Sequence, residues 1–74
     1  MPGENSWGRW VPVSSSNIRA YRYNEDERIL AIQFTSGQTY EYRDVPKNIA
    51  EEFSTADSKG KYFHSAIRHS YSTV

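Results

Sequence analysis

Rings, not aliphatic chains, must supply much of any core this sequence builds. It has one Leu, five Ile and four Val in 74 residues, against three Phe, six Tyr and two Trp. A chain this short buries only about 60 to 65% of its unfolded surface, enough for one domain around one core. Leu, Ile, Val and Phe together make 13 of 74 residues, below the roughly 20% at which chains tend to stay unfolded. Two properties offset that shortage. Formal net charge is zero and rings are 15% of residues, whereas disordered chains are highly charged and ring-poor. Burying a ring removes about 150 to 250 Å² from water, worth about 4 to 6 kcal/mol as an upper bound. A domain with about 5 kcal/mol of net stability is therefore expected to keep most of its rings inside.

The absence of cysteine excludes a disulfide framework and thiolate metal sites, and suits a reducing cytoplasm. The start, MPGENSWGRW, has neither the basic nor the apolar region of a secretory signal. No apolar run approaches the roughly 18 residues of a membrane span. The expected setting is cytoplasmic, with no membrane partner. Zero net charge argues against strong non-specific attachment to nucleic acid, which rests on excess Lys and Arg.

Residues 1–9 are polar and aperiodic and read as a flexible tail, leaving residues 10–74 as a single domain. Trp10 is expected to close the core beside Val11 and Val13, with Trp7 a partly exposed neighbour. Pro12 biases Val11 toward extended backbone, and the serines of VPVSSSN with Asn17 are turn or bulge formers. A strand resumes from Ile18 to Tyr23, residues 24–28 form a polar loop, and ILAIQF alternates as a second strand with Leu30, Ile32 and Phe34 on one face.

The segment TSG then sets the register of the next strand. A three-residue hairpin loop ending in a left-handed Gly37 places Phe34 opposite Gln38, Ile32 opposite Tyr40 and Leu30 opposite Tyr42. A two-residue Ser36-Gly37 turn would shift the pairing by one and turn both tyrosines to the other face. Asn or Asp, not Ser, usually leads that shorter turn, so the longer loop is preferred.

After RDVP the period changes from two to that of a helix. Pro46 suits a first helical position, and Ile49, Phe53 and Ala56 recur on one face. A second helix is expected to start near Ser58 as cap, with Phe63, Ala66, Ile67, Ser70, Tyr71 and Val74 as its apolar stripe. Strands followed by helices imply an α+β fold: an antiparallel three- to four-stranded meander covered on one face by two C-terminal helices.

PVSSSNI, then Tyr23, Leu30, Phe34 and Gly37, YEY, VP, SKGKYF and IR before Tyr71, in this order and spacing, resemble the KTSC domain. That domain occurs at the C-terminus of some lysyl-tRNA synthetases and as small stand-alone bacterial proteins. The resemblance covers about residues 12–71. It departs at Arg22, where the family commonly has Gly, and at His64, where Asn is usual; both changes add basic or titratable character. The family has no established activity. The resemblance implies at most RNA binding, through the synthetase association and the Y-x-Y motif, and carries no catalytic residues over.

Tyr40 and Tyr42 admit two readings. They could form a platform on which bases stack, each stack worth roughly 1 to 3 kcal/mol. Packing across the strands against Ile32 and Leu30 gains more, so core burial is preferred for both. The stronger candidate is SKGK at residues 58–61. Lysines in a first helical turn run against the helix dipole, and Gly60 would let a ligand approach the amides. Ser58, Lys59, Gly60 and Lys61 could thus hold a phosphate-sized anion, with His64 and Arg68 following in a segment that has no acidic side chain. The bland alternative is an ordinary capped helix with solvated lysines and a Gly60 needed only for packing.

Catalysis finds no support. His64 and His69 lie about 140° apart around a helix, so they do not form a one-face metal pair. Ser65, His64 and Asp57 are merely near in sequence. No cofactor is expected. The leading expectation is a non-catalytic module that binds RNA, either tRNA or a single strand, through phosphates at the start of the second helix. The alternative is a protein-interaction module using Gln33, Thr39, Glu41 and Arg43 on the exposed sheet face, or an open sheet edge.

Overall fold

Among the described residues, four strands run as an antiparallel meander in the order β1-β2-β3-β4: β1 Val11–Pro12, β2 Ile18–Asn24, β3 Ile29–Phe34 and β4 Thr39–Tyr42. Helix α1 spans Lys47–Thr55, and α2, Lys59–Tyr62, runs on into a π-helical turn, Phe63–Ile67. The α+β architecture is the expected one. The structure, a computed structural model, describes residues 9–74; the expectations for residues 1–8, including Trp7, lie outside the described residues.

The hairpin follows the longer loop. Leu30 pairs with Tyr42 and Ile32 with Tyr40, the Phe34 amide donates to the Gln38 carbonyl at 2.8 Å, and Gly37 has φ +100°, the left-handed region that glycine tolerates best. In β2 an irregularity between Ile18 and Ala20 sets Ile18 opposite Phe34 and Ala20 opposite Gln33. One extra residue, Arg19, turns Ile18 onto the same face as Ile32, and Ile18 is fully buried. Without that bulge Ile18 would share the outer face with Ala20.

The core centre is more aliphatic than the composition leads one to expect. Ile18, Leu30, Ile32, Val45 and Ile67 share it with Tyr42, Phe53 and Phe63, while Tyr21, Tyr23, Phe34, Tyr62 and Tyr71 pack around them half-buried. Rings form much of the jacket, where the tyrosines among them can give their hydroxyls a hydrogen-bond partner. The Tyr23 hydroxyl, for example, donates to the Val45 carbonyl at 2.5 Å.

Pro46 is the residue before the first helical one, in extended backbone; its fixed φ and missing N–H cost nothing there. Phe53 is fully buried, meeting Tyr21 edge-on with ring centroids 4.9 Å apart. Ala56, the third residue of the expected stripe, is the C-cap and lies past the helix end.

Two expectations are corrected at the ends of the domain. Trp10 does not close the core: it is 38% exposed and lies over the Arg22 guanidinium, 4.7 Å from ring centroid to cation. Arg22 pairs with Ala31 on the face away from the helices, so the arginine gives the indole a partner there. The second helix does not reach Val74. Ser70 and Tyr71 donate back to the Ile67 carbonyl, and the chain then runs extended along β4, Thr73 bridging Tyr42. The edge of β4 offers backbone partners that a continued helix could not use, and Thr and Val favour extended backbone.

Candidate nucleic-acid interface

The two tyrosines of TYEY share a strand face but not an environment. Tyr42 is 7% exposed and Tyr40 41%. Tyr42 lies over the core, where Phe63 meets it edge-on with ring centroids 5.4 Å apart. Tyr40 stands one pleat further toward the hairpin loop and touches the edge of Phe34 at 5.8 Å. The expectation of core burial therefore fails for Tyr40. The reason is reach: the last helix crosses the sheet at Phe63 and leaves the hairpin end uncovered, which alternation along a strand cannot reveal.

That uncovered end is a depression of about 330 Å³. Phe34, Tyr40, Tyr42 and Phe63 supply its rings, and Asn17, Gln38, His64 and Arg68 its polar groups. The Tyr40 hydroxyl donates to Gln38 Oε1 at 2.9 Å. Burial pushes the Tyr42 phenol above its ordinary pKa, the Tyr40 side chain adds to that, and the Arg68 charge opposes it. Tyr42 is thus a neutral, packed wall at physiological pH.

Arg68 Nη1 lies 3.3 Å from His64 Nδ1. Because guanidinium can only donate, Nδ1 is the acceptor of a hydrogen bond here. Arg68 follows the π turn, its amide donating to the Phe63 carbonyl at 2.9 Å; such wide turns recur at functional sites.

The SKGK motif is divided by the fold. Ser58 is the expected cap, its Oγ accepting from the Lys61 amide at 3.3 Å. Its carbonyl takes the Tyr62 amide at 3.0 Å, so two amides of this turn serve the helix itself. Lys59 reaches back toward the Ala56 carbonyl, with Nζ 3.5 Å away, and lines a separate groove beside Asp57 and Ser14. Gly60 packs on Asn17: a Cβ at position 60 would sit 2.8 Å from Asn17 Oδ1. Gly60, Lys61 and His64 line a second depression with Ser15 and Asn17. Asn17 and His64 border both this depression and the ring-lined one.

Of the residues expected at the site, Tyr40, Tyr42, His64 and Arg68 thus meet in one pocket, Gly60 and Lys61 adjoin it, Ser58 acts as a cap on its border, and Lys59 points elsewhere. No Asp or Glu lines either depression among the described residues. Asn17 and Gln38 were not foreseen as site residues. Asn17 had a faint signal in SSSN: Ser15 Oγ donates to its Oδ1 at 2.9 Å, and its own amide donates to Ser15 Oγ at 3.3 Å. This local turn presents the Asn17 side chain to Gly60.

Among the described residues, no helix is long and apolar enough to cross a membrane, and no three side chains of His, Cys, Asp or Glu gather as a metal site.

The KTSC domain family model matches residues 14–71. A KTSC domain protein from Yersinia pestis has a similar crystal structure, with TM-score 0.85 and 38% identity, covering 89% of this chain and 93% of that one. A protein of Tsukamurella paurometabola is 36% identical over 63 residues, covering 85% of this chain and 94% of its own length. A lysine-tRNA ligase of Nostoc sp. is 47% identical over 53 residues, which is 72% of this chain but only 9% of the ligase. The chain thus spans about a tenth of the ligase's length.

Proposed function

This chain belongs to the KTSC domain family, and we propose that it is a non-catalytic module that binds RNA along the groove between the β3–β4 hairpin and the last helix. One observation carries the reading: an exposed ring, Tyr40, shares a pocket with Arg68 and His64, and Lys61 stands in the adjoining depression. Stacking rings beside cations, with no carboxylate to repel phosphate, is the combination that nucleic-acid grooves use. The phosphate contacts then come from the side chains of Lys61, His64 and Arg68 rather than from the amides of the second helix. A second support is that lysine-tRNA ligases, enzymes that act on tRNA, contain a region similar to most of this chain.

The alternative, a protein-binding sheet face, has less to draw on. Trp10 and Arg22 cover part of that face, and residues 72–74 occupy the β4 edge.

Backbone amide shifts recorded while tRNA or single-stranded RNA is titrated in would test the proposal. The amides of Lys61, His64 and Arg68 are expected to move together at low salt. Two phosphates neutralised by Lys61 and Arg68 on a single strand give a slope of about −1.4 for log affinity against log salt. If no amide moves at low salt and high RNA concentration, the module does not bind RNA.

A further inference from the structure

Resting on the RNA-binding reading, we propose that the pocket at Tyr40 takes one unpaired base from a single-stranded segment, so that the module selects unpaired RNA over duplex. Tyr40 makes a single ring contact among the described residues, with Phe34 at an interplanar angle of 65°. Parallel stacking on Tyr40 is left to a ligand. The volume of about 330 Å³ lies at the low end of the roughly 300 to 1,000 Å³ of small-ligand pockets, room for one planar ring system. A duplex keeps its base faces stacked on one another and cannot offer one to Tyr40.

The polar rim fits a base edge. Gln38 Oε1 is taken by the Tyr40 hydroxyl and Asn17 Oδ1 by the Ser15 hydroxyl. The amide NH₂ of each side chain therefore remains as its donor toward carbonyl or ring-nitrogen acceptors on a base. Arg68 lines the same pocket, where its planar fork suits the phosphate attached to the stacked nucleotide. Lys61, in the adjoining depression, is placed for the next phosphate. The site spans about two nucleotides, comparable to the two or three bases that the sheet aromatics of RNA-recognition modules stack.

The test compares three RNAs by fluorescence anisotropy at equal phosphate concentration: a single-stranded hexamer, a ribose-phosphate hexamer without bases, and a blunt duplex of about twelve base pairs, long enough to stay paired. The proposal expects the hexamer to bind at least about tenfold tighter than the other two. Tyr40→Ala should weaken hexamer binding by about 5- to 150-fold, the loss of one stack, while Tyr40→Phe stays within about threefold. Arg68→Ala should weaken binding of the hexamer and of its base-free counterpart alike. Equal affinity for the hexamer and the base-free chain, tighter binding of duplex, or indifference to Tyr40→Ala would overturn the base pocket. If any of these accompanied salt-sensitive binding lost in Arg68→Ala, RNA binding through phosphates would stand without the base pocket. Absence of binding by every RNA form would remove both.

Discussion

A Cβ on residue 60 would lie 2.8 Å from Oδ1 of Asn17, so the SSSN loop and the SKGK turn fit together only because one of them carries a glycine. Asn17 cannot swing aside without losing the hydroxyl of Ser15, 2.9 Å from the same oxygen. Two effects oppose each other in Gly60→Ala. Helical propensity favours alanine by about 1 kcal/mol, whereas overpacking costs about 1 to 3 kcal/mol. The expected net result is a loss of about 1 kcal/mol. In an Asn17→Ala background the clash is gone and the same change should stabilise by about 0.5 to 1 kcal/mol. Urea midpoints of the four proteins decide it; a Gly60→Ala protein about 1 kcal/mol more stable than wild type would mean that the contact yields without cost.

The tyrosines of TYEY should separate in their effect on stability. Tyr42, 7% exposed and packed on Phe63, is expected to lose about 3 to 5 kcal/mol on truncation to Ala, as buried rings do. Tyr40 is 41% exposed, and its truncation should cost about 1 kcal/mol or less, mainly for the Phe34 edge contact and the Gln38 hydrogen bond. Comparable losses at both positions would show that the last helix covers the hairpin end as well as the core. The split also makes Tyr40→Ala a clean probe of binding, since it leaves the fold in place.

Local rules account for the parts of the fold that were legible in the sequence. The hairpin register follows from Gly37 and from alternation in β3, both properties of adjacent residues. Phe63 and Ile67 of the last helix, and Phe53 of α1, likewise follow from periodicity. Three of the misses are questions of reach. Whether Tyr40 is covered depends on how far a helix more than twenty residues later extends over the sheet. Whether residues 72–74 continue a helix depends on the open edge of β4, which competes for their backbone. The pairing of Asn17 with Gly60 joins two loops far apart in sequence, and each looked self-sufficient as a turn and a cap. The candidate site was accordingly found in pieces: its cations and its ring were named for separate reasons, and the fold brings them to one pocket.

Alkaline pH should expose the tyrosine jacket. Burial, then the hydrogen bond and charge of Glu52, and then Tyr71, push the Tyr62 phenol up to about 12 from 10.0; the Tyr62 hydroxyl donates to Glu52 Oε1 at 2.7 Å. A pKa raised on folding means that the native state holds its proton more tightly. Stability from this group is complete below pH 10 and is lost as pH rises through about 12. Burial raises Tyr21, Tyr23 and Tyr42 as well, so all four contribute with one sign. Urea midpoints between about pH 8 and pH 11 should fall less steeply for Tyr62→Phe than for wild type. Parallel slopes would show that Tyr62 ionises as freely folded as unfolded.

The extended segment of residues 72–74, bridged to β4 at Thr73, offers a last measurable consequence. The Arg43 amide donates to the Ser72 carbonyl at 2.9 Å, and the Val74 amide to the Glu41 carbonyl at 2.8 Å. Val74 is 72% exposed, so the backbone rather than the side chain holds this segment. Val74→Pro removes the donor to Glu41 while giving up little apolar contact, and it should cost about 0.5 to 1.5 kcal/mol, the net value of one such bond. The consequence reaches further than that one bond. Releasing residues 72–74 uncovers the groups of β4 that pair strands between molecules, so the variant should also self-associate more strongly as its concentration rises. Hydrogen exchange gives the direct readout: the Arg43 amide is protected in wild type and exchanges faster in Val74→Pro. An Arg43 amide that exchanges at the rate of an open loop in wild type would show that β4, not residues 72–74, is the edge of this sheet in solution.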